Sequence, residues 1–537
     1  MHSGWGWFEN IAGALEQLQG SGAGVRSAMK RGLALFTSLA ALSPAAAQSS
    51  PGETATAAIF DRLLESPPAL RLFLKAMPKG GDLHNHLGGT PYAEDYLRWA
   101  AEGDMCVDET GTHVVPPPCP ADRKVKRLGE RAPFAFTRLV DALSTRGVQQ
   151  GVGANDASGH TQFFSSFERF GTTGAEAEAG SMTVARQVAA GDRVAYLELI
   201  HNPAALISAT LGMADTPLGV DGLAAFHERV MKDARPIIDR AMAELDRNEA
   251  AARKTLACDG TAPDPGCGVA VRYLAWGWRD LPPAQAFASL ILAFALADRD
   301  PRYVGVNIVQ PEDWVIALRD YDLHMAMIRF LAERHPRVHR SLHAGELALG
   351  LVPPAALRDH IRKALDAGAE RIGHGTAIAF EDDALATMQR MSRQGVAVEV
   401  NRSSNAVILG VKGDAHPLRL YRRVGVPTAL SSDDQGILRT DMTHEFMRAA
   451  REQGMRYADL KQMARASLQY AFIEGPGLWE PGHPGTMVAP CALALSDPKC
   501  RVFAKSSPKA ALQIELEDEF RKFEDITTPT LRELVGN

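Results

Sequence analysis

Short apolar runs rich in β-branched and aromatic residues recur along the chain between longer stretches. In those stretches, apolar residues spaced three and four positions apart indicate amphipathic helices. The short runs predict eight strands: Gly80–Leu83, Val194–Ile200, Val269–Ala275, Tyr303–Val309, His339–His343, Arg371–His374, Val396–Val400 and Pro427–Ser431. Strands that alternate with helices are typical of a parallel sheet with helices outside it. Eight such units predict an α/β fold, a (β/α)8 TIM-type barrel, whose active site lies at the carboxyl ends of the strands.

Two gaps between predicted strands are longer than one strand–helix unit. We therefore expect helical insertions at about residues 88–190 and 202–268, after strands 1 and 2, as a cap over the barrel mouth. Residues 222–255 predict a long charged helix, interrupted or kinked near Pro236. The resulting division is a helical segment at 48–76, a barrel with insertions at 77–475 and a C-terminal extension at 476–537.

The sequence of residues 1–47 is typical of a targeting segment rather than of a folded unit. Residues 29–47 combine Lys-Arg, a short apolar core and a closing Ala-Ala-Ala, which is the anatomy of a secretory signal peptide. Met29 is then the expected start, with residues 1–28 an upstream extension. The alternative is an ordinary N-terminal helix.

Composition agrees with a globular protein and argues against two classes of partner. Of 537 residues, 46% are hydrophobic and 23% are charged, too apolar a balance for disorder. The formal charge of -6 is spread without long single-sign runs, which argues against nucleic-acid binding and gives no reason to expect membrane association. No apolar run reaches the roughly 20 residues that span a bilayer.

The six cysteines form three pairs that are close in sequence: Cys106 with Cys119, Cys258 with Cys267, and Cys491 with Cys500. In an oxidising compartment each pair could close a small loop, so the spacing predicts disulfides and a periplasmic or secreted protein. Zinc binding by these cysteines is the alternative, but no CxxC spacing occurs. The pairing is inferred from proximity alone.

Ionisable side chains follow four of the predicted strands, where a barrel places its chemistry. Strand 1 ends in His84-Asn85-His86, and alternation along a strand puts both imidazoles on one side, where they can ligate one metal ion. A buried histidine or a helix N-cap pair would explain any one of these ends by itself. All four together favour a catalytic metal site, and the other three contribute His343 and Glu346, His374, and Asp433 and Asp434.

These motifs resemble, in order, those of the adenosine deaminase family within the metal-dependent amidohydrolases. The resemblance covers roughly residues 77–450, and its insertion after His-x-His and its signal resemble the secreted, growth-factor-related branch. The segments that carry it are MPKGGDLHNHL (77–87), YLELI (196–200), LHAGE (342–346), RIGHG (371–375), SSN (403–405), HP (416–417) and SSDD (431–434).

The resemblance implies a role for each site residue. One Zn²⁺, with iron or manganese as alternatives, would activate a water molecule. Glu346 would protonate the purine ring nitrogen beside the attacked carbon, and His374 and Asp433 would orient the water, with His374 taking its proton. The metal ligands would be His84, His86, His343 and Asp433, and the substrate-binding residues Asp434, Gln310 and Gly345.

Two positions depart from the family pattern, so the substrate is less defined than the chemistry. Gly88 stands where an acidic residue contacts the ribose, and Gln310 where a glycine faces the purine. The expected reaction is zinc-dependent hydrolytic deamination of adenosine or 2'-deoxyadenosine, with a purine nucleoside as the small-molecule partner. The alternatives are deamination of another aminopurine, such as adenine or a modified adenosine, and a secreted binding or signalling protein that keeps the fold.

Overall fold

Eight parallel strands build the barrel, as the sequence predicts. The computed structural model describes residues 50–146, 148, 158–170 and 176–535. The barrel strands are hydrogen-bonded in the order β1-β4-β5-β6-β7-β8-β9-β10, and β2 and β3 form a separate antiparallel pair. The strands are β1 Gly80–His86, β2 Cys106–Val107, β3 Val114–Val115, β4 Val194–Ile200, β5 Ala270–Trp278, β6 Tyr303–Val309, β7 His339–Ala344, β8 Arg371–His374, β9 Ala397–Val400 and β10 Thr428–Leu430.

Helices surround the barrel and form most of the insertions. In chain order the α-helices are α1 Pro51–Leu63, α2 Pro67–Ala76, α3 Ala93–Glu102, α4 Leu128–Arg131, α5 Pro133–Ala142, α6 Gly159–Phe170, α7 Glu176–Gly191, α8 Ala204–Leu211, α9 Leu223–Thr255, α10 Pro283–Arg299, α11 Val315–Arg319, α12 Tyr321–Arg334, α13 His360–Asp366, α14 Ala384–Gln394, α15 Arg402–Ile408, α16 Leu418–Val424, α17 Met442–Gln453, α18 Tyr457–Gln469, α19 Pro498–Lys505, α20 Pro508–Lys522 and α21 Thr528–Leu531.

The barrel closes between the end of β1 and the residues that follow β10. The backbone N–H of Asp433 donates to the carbonyl of His84 at 2.9 Å, and the N–H of His86 donates to the carbonyl of Asp433 at 3.1 Å. These two bonds form a parallel bridge where β1 and β10 would otherwise be open edges. The closure therefore places Asp433 directly beside the two histidines of β1.

Apolar packing fixes both insertions against the barrel. Helix α10 is buried around its whole circumference, because β5 and β6 cover one side and α8 and α9 the other. In the first insertion, Tyr96, Trp99 and Phe163 share a buried cluster with Ile408 and Ile437, which follow β9 and β10. The first insertion thus packs on loops at the carboxyl ends of the strands. The predicted domain boundaries stay predictions.

Two helical segments differ in detail from what local sequence suggests. Helix α9 continues through Pro236, which is exposed, and buried Ala234 and Ile238 keep the apolar stripe unbroken. The predicted interruption is therefore wrong, and the kink stays a prediction. Residues 354–366 hold a 3-10 turn, Pro354–Leu357, followed by α13. The Glu381 carboxylate accepts hydrogen bonds from N–H groups in the first turn of α13, which fixes its start.

All three predicted disulfides are confirmed. Cys106 pairs with Cys119, Cys258 with Cys267, and Cys491 with Cys500. Each closes a short loop outside the eight barrel strands. Within the described ranges no helix is long and apolar enough to cross a membrane. The predicted signal at 29–47 lies outside the residues that the structure describes.

Candidate active site

Four side-chain donor atoms converge at the carboxyl end of the barrel. Nε2 of His343 lies 3.0 Å from Nε2 of His84 and 3.2 Å from Nε2 of His86. Oδ1 of Asp433 lies 3.6 Å from the His84 nitrogen and 3.4 Å from the His86 nitrogen. The strand ends thus place the four residues predicted to bind the metal side by side, with His343 and Asp433 each next to both His84 and His86.

The donor set fits a divalent cation. Nδ1 of His84 lies 2.7 Å from a Glu399 oxygen, and Nδ1 of His343 lies 2.8 Å from Oδ1 of Asn307. Because these oxygens accept hydrogen bonds, each Nδ1 carries the hydrogen and each Nε2 presents a lone pair. Lone pairs facing each other repel unless a cation lies between them. The four distances above, 3.0 to 3.6 Å, suit donors that would each lie about 2.0–2.2 Å from one ion.

Burial and charge hold these groups in the forms that bind metal. Burial alone would raise the pKa of Asp433, but the facing imidazoles lower it to about 2. Burial lowers the pKa of His86 to about 4 and that of His343 well below its usual range. Burial alone would lower the pKa of His84, but the hydrogen bond to Glu399 and the charge of Glu399 raise it, so a bound cation would have to displace a proton from that ring. The cluster therefore offers an ionised carboxylate and neutral rings at His86 and His343 near neutral pH.

The predicted acid and base lie next to this cluster. Oε1 of Glu346 lies 3.4 Å from Nδ1 of His374, and Nε2 of His374 lies 3.9 Å from Oδ2 of Asp433. Burial and the charge of Asp433 raise the pKa of Glu346 well above its usual range, so the carboxyl group can carry a proton. Burial lowers the pKa of His374 to about 3, which makes its ring neutral.

Asp434 completes the group of predicted residues. Burial and the neighbouring Asp433 raise the pKa of Asp434 well above its usual range. Among the residues that the structure describes, its buried Oδ1 has no hydrogen-bond partner, which leaves it available to a ligand. A Cβ on Gly89 would lie 1.8 Å from this oxygen, so only glycine leaves room for the carboxyl group there.

Three residues at the strand ends adopt left-handed backbone conformations that non-glycine residues rarely adopt. The φ angles are 67° at His374, 59° at Asp433 and 85° at Gln310. Such conformations cost on the order of 1 kcal/mol each and persist where the surrounding structure imposes them. They change the direction of the side chains of His374, Asp433 and Gln310 where the backbone turns at the ends of β8, β10 and β6.

Three polar residues that support the site were not singled out from the sequence. Glu399 contacts His84, and Asn307 contacts His343. Glu312 accepts hydrogen bonds from the backbone N–H groups of Gly345, at 3.1 Å, and Glu346, at 2.9 Å. The sequence feature that could have identified them is an ionisable or amide residue inside or beside an otherwise apolar strand, such as the glutamate of Ala-Val-Glu-Val in β9.

The remaining predicted substrate-binding positions are less defined by geometry. Gln310 is exposed at the end of β6, and a Cβ on Gly88 would meet open space. The N–H of Gly345 is already bonded to Glu312. Substrate contacts by Gln310 and Gly345 therefore stay predictions.

Two known deaminases share part of this chain's sequence. An adenosine deaminase from Escherichia coli is 34% identical over 136 residues, which are 25% of this chain and 38% of that protein. An adenine deaminase from Rhizobium etli is 29% identical over 209 residues, 38% of this chain and 59% of that protein. The matches thus span less than two thirds of these relatives' own lengths.

Among solved structures, a zinc-bound amidohydrolase from Burkholderia ambifaria shares the fold, with a TM-score of 0.50 at 17% identity. The match covers 84% of this chain and 95% of that structure. The family model for adenosine deaminase matches residues 148–477, more than half of the 537 residues. The chain therefore belongs to the adenosine deaminase family.

Proposed function

We propose that the protein is a zinc-dependent deaminase that hydrolyses adenosine or 2'-deoxyadenosine to inosine or 2'-deoxyinosine and ammonia. The observation that carries this proposal is the buried carboxyl group of Glu346 beside the four-donor cluster. A raised pKa makes Glu346 a proton donor, and a proton donor next to a metal site suits attack of water on an electron-poor ring carbon.

The proposed metal is one Zn²⁺ per chain, held by His84, His86, His343 and Asp433. Three imidazole nitrogens and one carboxylate oxygen favour zinc over harder cations, although iron and manganese also accept such sets. When bound, zinc would act as a Lewis acid that activates a water molecule at neutral pH. Metal analysis of the purified protein identifies the ion.

The chain's own residues account for the proton transfers. Glu346 would donate its proton to the ring nitrogen next to the attacked carbon, as the water oxygen bonds to that carbon. The bond from carbon to the amino group then breaks. One water proton leaves with the amino group as ammonia, and the other returns to Glu346. Asp434 would hold the five-membered ring through its free oxygen.

A substrate panel tests the proposal. Metal-analysed protein is mixed with adenosine, 2'-deoxyadenosine, adenine and modified adenosines, and ammonia release is measured for each. We expect turnover of adenosine or 2'-deoxyadenosine with one ammonia per nucleoside consumed. If protein with bound metal releases ammonia from no aminopurine, the proposal is wrong.

The second candidate is deamination of another aminopurine, such as adenine or a modified adenosine. Gly88 and Gln310 favour it, because they change the two positions that read sugar and purine in the family pattern. Gln310 also adopts a φ of 85° at the end of β6, where glycine is the ordinary residue. Faster turnover of adenine than of adenosine in the same panel would select this candidate.

We also propose that the protein is exported to the periplasm or secreted. Three disulfides support this, because such bonds persist in oxidising compartments. N-terminal sequencing of exported protein should begin near Gln48, and recovery of the protein only from cytoplasm would contradict export. The relation to a secreted branch stays a prediction.

A further inference from the structure

A chain of buried hydrogen bonds lies behind His374, on the side away from the metal ligands. It runs from the backbone N–H of Leu418 through His416 and Asn405 to His374, and we call it the imidazole–amide chain. The side chains of His416, Asn405 and His374 are all buried, so water does not compete for these bonds. Each bond in it has a direction that can be read from its partners.

The direction is set at Leu418. Its backbone N–H lies 3.2 Å from Nδ1 of His416, and a backbone N–H can only donate. Nδ1 of His416 therefore presents a lone pair, and the ring hydrogen is on Nε2. Burial also lowers the pKa of His416 well below its usual range, which keeps this ring neutral.

The amide of Asn405 connects the two imidazole rings and gives the next hydrogen bond its donor. Nε2 of His416 lies 3.1 Å from Oδ1 of Asn405, so N–H donates to the amide oxygen. The amide NH₂ is then turned towards His374, and Nδ2 lies 3.0 Å from Nδ1 of that ring. An amide NH₂ can only donate, so Nδ1 of His374 accepts in this bond. Nδ2 of Asn401 lies 3.4 Å from both ring nitrogens and Oε1 of Glu346 lies 3.4 Å from Nδ1, and the bond from Asn405 is the shortest of these contacts. With Nδ1 accepting a hydrogen bond, the ring hydrogen of His374 is left on Nε2.

We propose that His416 and Asn405 are positioning residues that fix His374 in the tautomer with its hydrogen on Nε2. This inference rests on the proposed deaminase function. His374 then donates a hydrogen bond to the attacking oxygen and keeps its own proton, whereas the sequence predicted that it takes a proton from water. Donors aimed at a developing negative oxygen stabilise the transition state.

The protons still balance under this assignment. When the water oxygen bonds to the ring carbon, its released proton goes to a carboxylate and then to the departing amino nitrogen, which leaves as ammonia. Oδ2 of Asp433 is the carboxylate oxygen that faces His374, at 3.9 Å from Nε2. His374 has the same protons before and after the reaction.

Nitrogen NMR tests the tautomer directly and needs no substrate. Metal-loaded protein carrying ¹⁵N-labelled histidine is recorded near neutral pH, and the His374 signals are assigned by their loss in His374→Gln. We expect a protonated Nε2 and an unprotonated Nδ1. A proton on Nδ1, or on both nitrogens, would overturn the proposal.

Variants of His416 test its role in the chain. His416→Gln can keep both contacts, one oxygen accepting from Leu418 and one NH₂ donating to Asn405, whereas His416→Phe keeps neither. We expect kcat to fall about 10- to 100-fold in His416→Phe with little change in KM, and to stay near wild type in His416→Gln. Equal kcat values for the two variants would contradict the role.

A matched control and the wild-type spectrum separate the possible failures. His339→Gln removes a half-exposed histidine at the start of β7, at the opposite end of the barrel, and should leave kcat unchanged. If His416→Phe does not fold, the wild-type tautomer still decides. If no aminopurine is turned over while the tautomer is as expected, the deaminase proposal falls and the chain's effect on His374 stands.

Discussion

Among single residues, Glu346 has the clearest predicted effect on catalysis. Glu346→Gln keeps the shape of the side chain but cannot deliver a proton, so we expect kcat to fall about 100- to 10,000-fold. Thermal unfolding and metal content should match wild type, which separates lost chemistry from lost structure. The control is Glu370→Gln, a half-buried glutamate just before the start of β8, away from the metal site. A biological effect that survives Glu346→Gln unchanged would favour a binding or signalling protein instead.

Gly373 is predicted to be essential for metal binding although it carries no side chain. A Cβ at this position would lie 2.7 Å from Cε1 of His84 and 3.0 Å from its Nδ1. Gly373→Ala should therefore displace the imidazole and weaken metal affinity about 10- to 100-fold, measured by competition with a chelator. Gly350→Ala, where a Cβ meets open space, is the control. Equal affinities in both variants would show that His84 does not need this space.

The lowered pKa of Glu312 leads to a prediction of how the free energy of unfolding depends on pH. Burial alone would raise its pKa, but the hydrogen bond from His360 and the charge of Arg279 lower it from 4.5 to about 2. A carboxyl group with a lowered folded pKa stabilises the protein above its unfolded pKa, and this stability is lost as pH falls towards 2. Urea unfolding between pH 5 and pH 3 should show this loss, and Glu312→Gln should flatten it. An equally steep loss in the variant would assign the effect to other groups.

At the scale of elements, a row of alternating charges crosses the barrel interior and ends at the metal site. Arg371 of β8 donates to Glu399 of β9 and to Glu198 of β4, each at 2.5 Å, and Glu399 contacts His84. These side chains are fully buried. Glu198 also accepts from the backbone N–H of Phe472, which follows α18. Residues of β4, β8 and β9, together with Phe472 after α18, therefore help to hold the orientation of His84, one of the predicted metal ligands.

Removing the central charge should be costly. Arg371→Met leaves two buried carboxylates without their arginine, and we expect it to lower the free energy of unfolding by about 3–5 kcal/mol. Arg358→Met, which breaks an exposed pair with Asp382, should leave that free energy unchanged. Denaturant unfolding of both variants compares them. A loss in Arg371→Met no larger than in Arg358→Met would contradict the role of the buried row.

The strands and the predicted metal ligands could be found from the sequence because each is marked by a short local pattern of residues. Apolar runs mark the eight strands, and His84, His86, His343 and Asp433 lie at or just after the ends of theirs. Glu198 and Glu399 were missed because each is one charged residue within an apolar strand, and its partners come from distant parts of the chain. The continuity of α9 through Pro236 was missed because tertiary packing overrides the local preference of proline.

At the scale of the whole molecule, the disulfides are predicted to stabilise the insertions and C-terminal extension without shaping the active site. Each closes a loop with a sequence separation between 9 and 13, which stabilises a fold by roughly 3 kcal/mol in the chain-entropy model. Reduction should lower the unfolding temperature while metal affinity stays unchanged. Loss of metal on reduction under native conditions would contradict this separation.

The central claim is that the four-donor cluster and Glu346 form a metal-dependent aminopurine deaminase. The most direct measurement is ammonia release from adenosine by protein stripped of metal and then titrated with Zn²⁺. The account predicts no turnover without metal and full turnover at one ion per chain, with His86→Ala unable to recover. Turnover by metal-free protein, or none from any aminopurine when one ion per chain is bound, would contradict it.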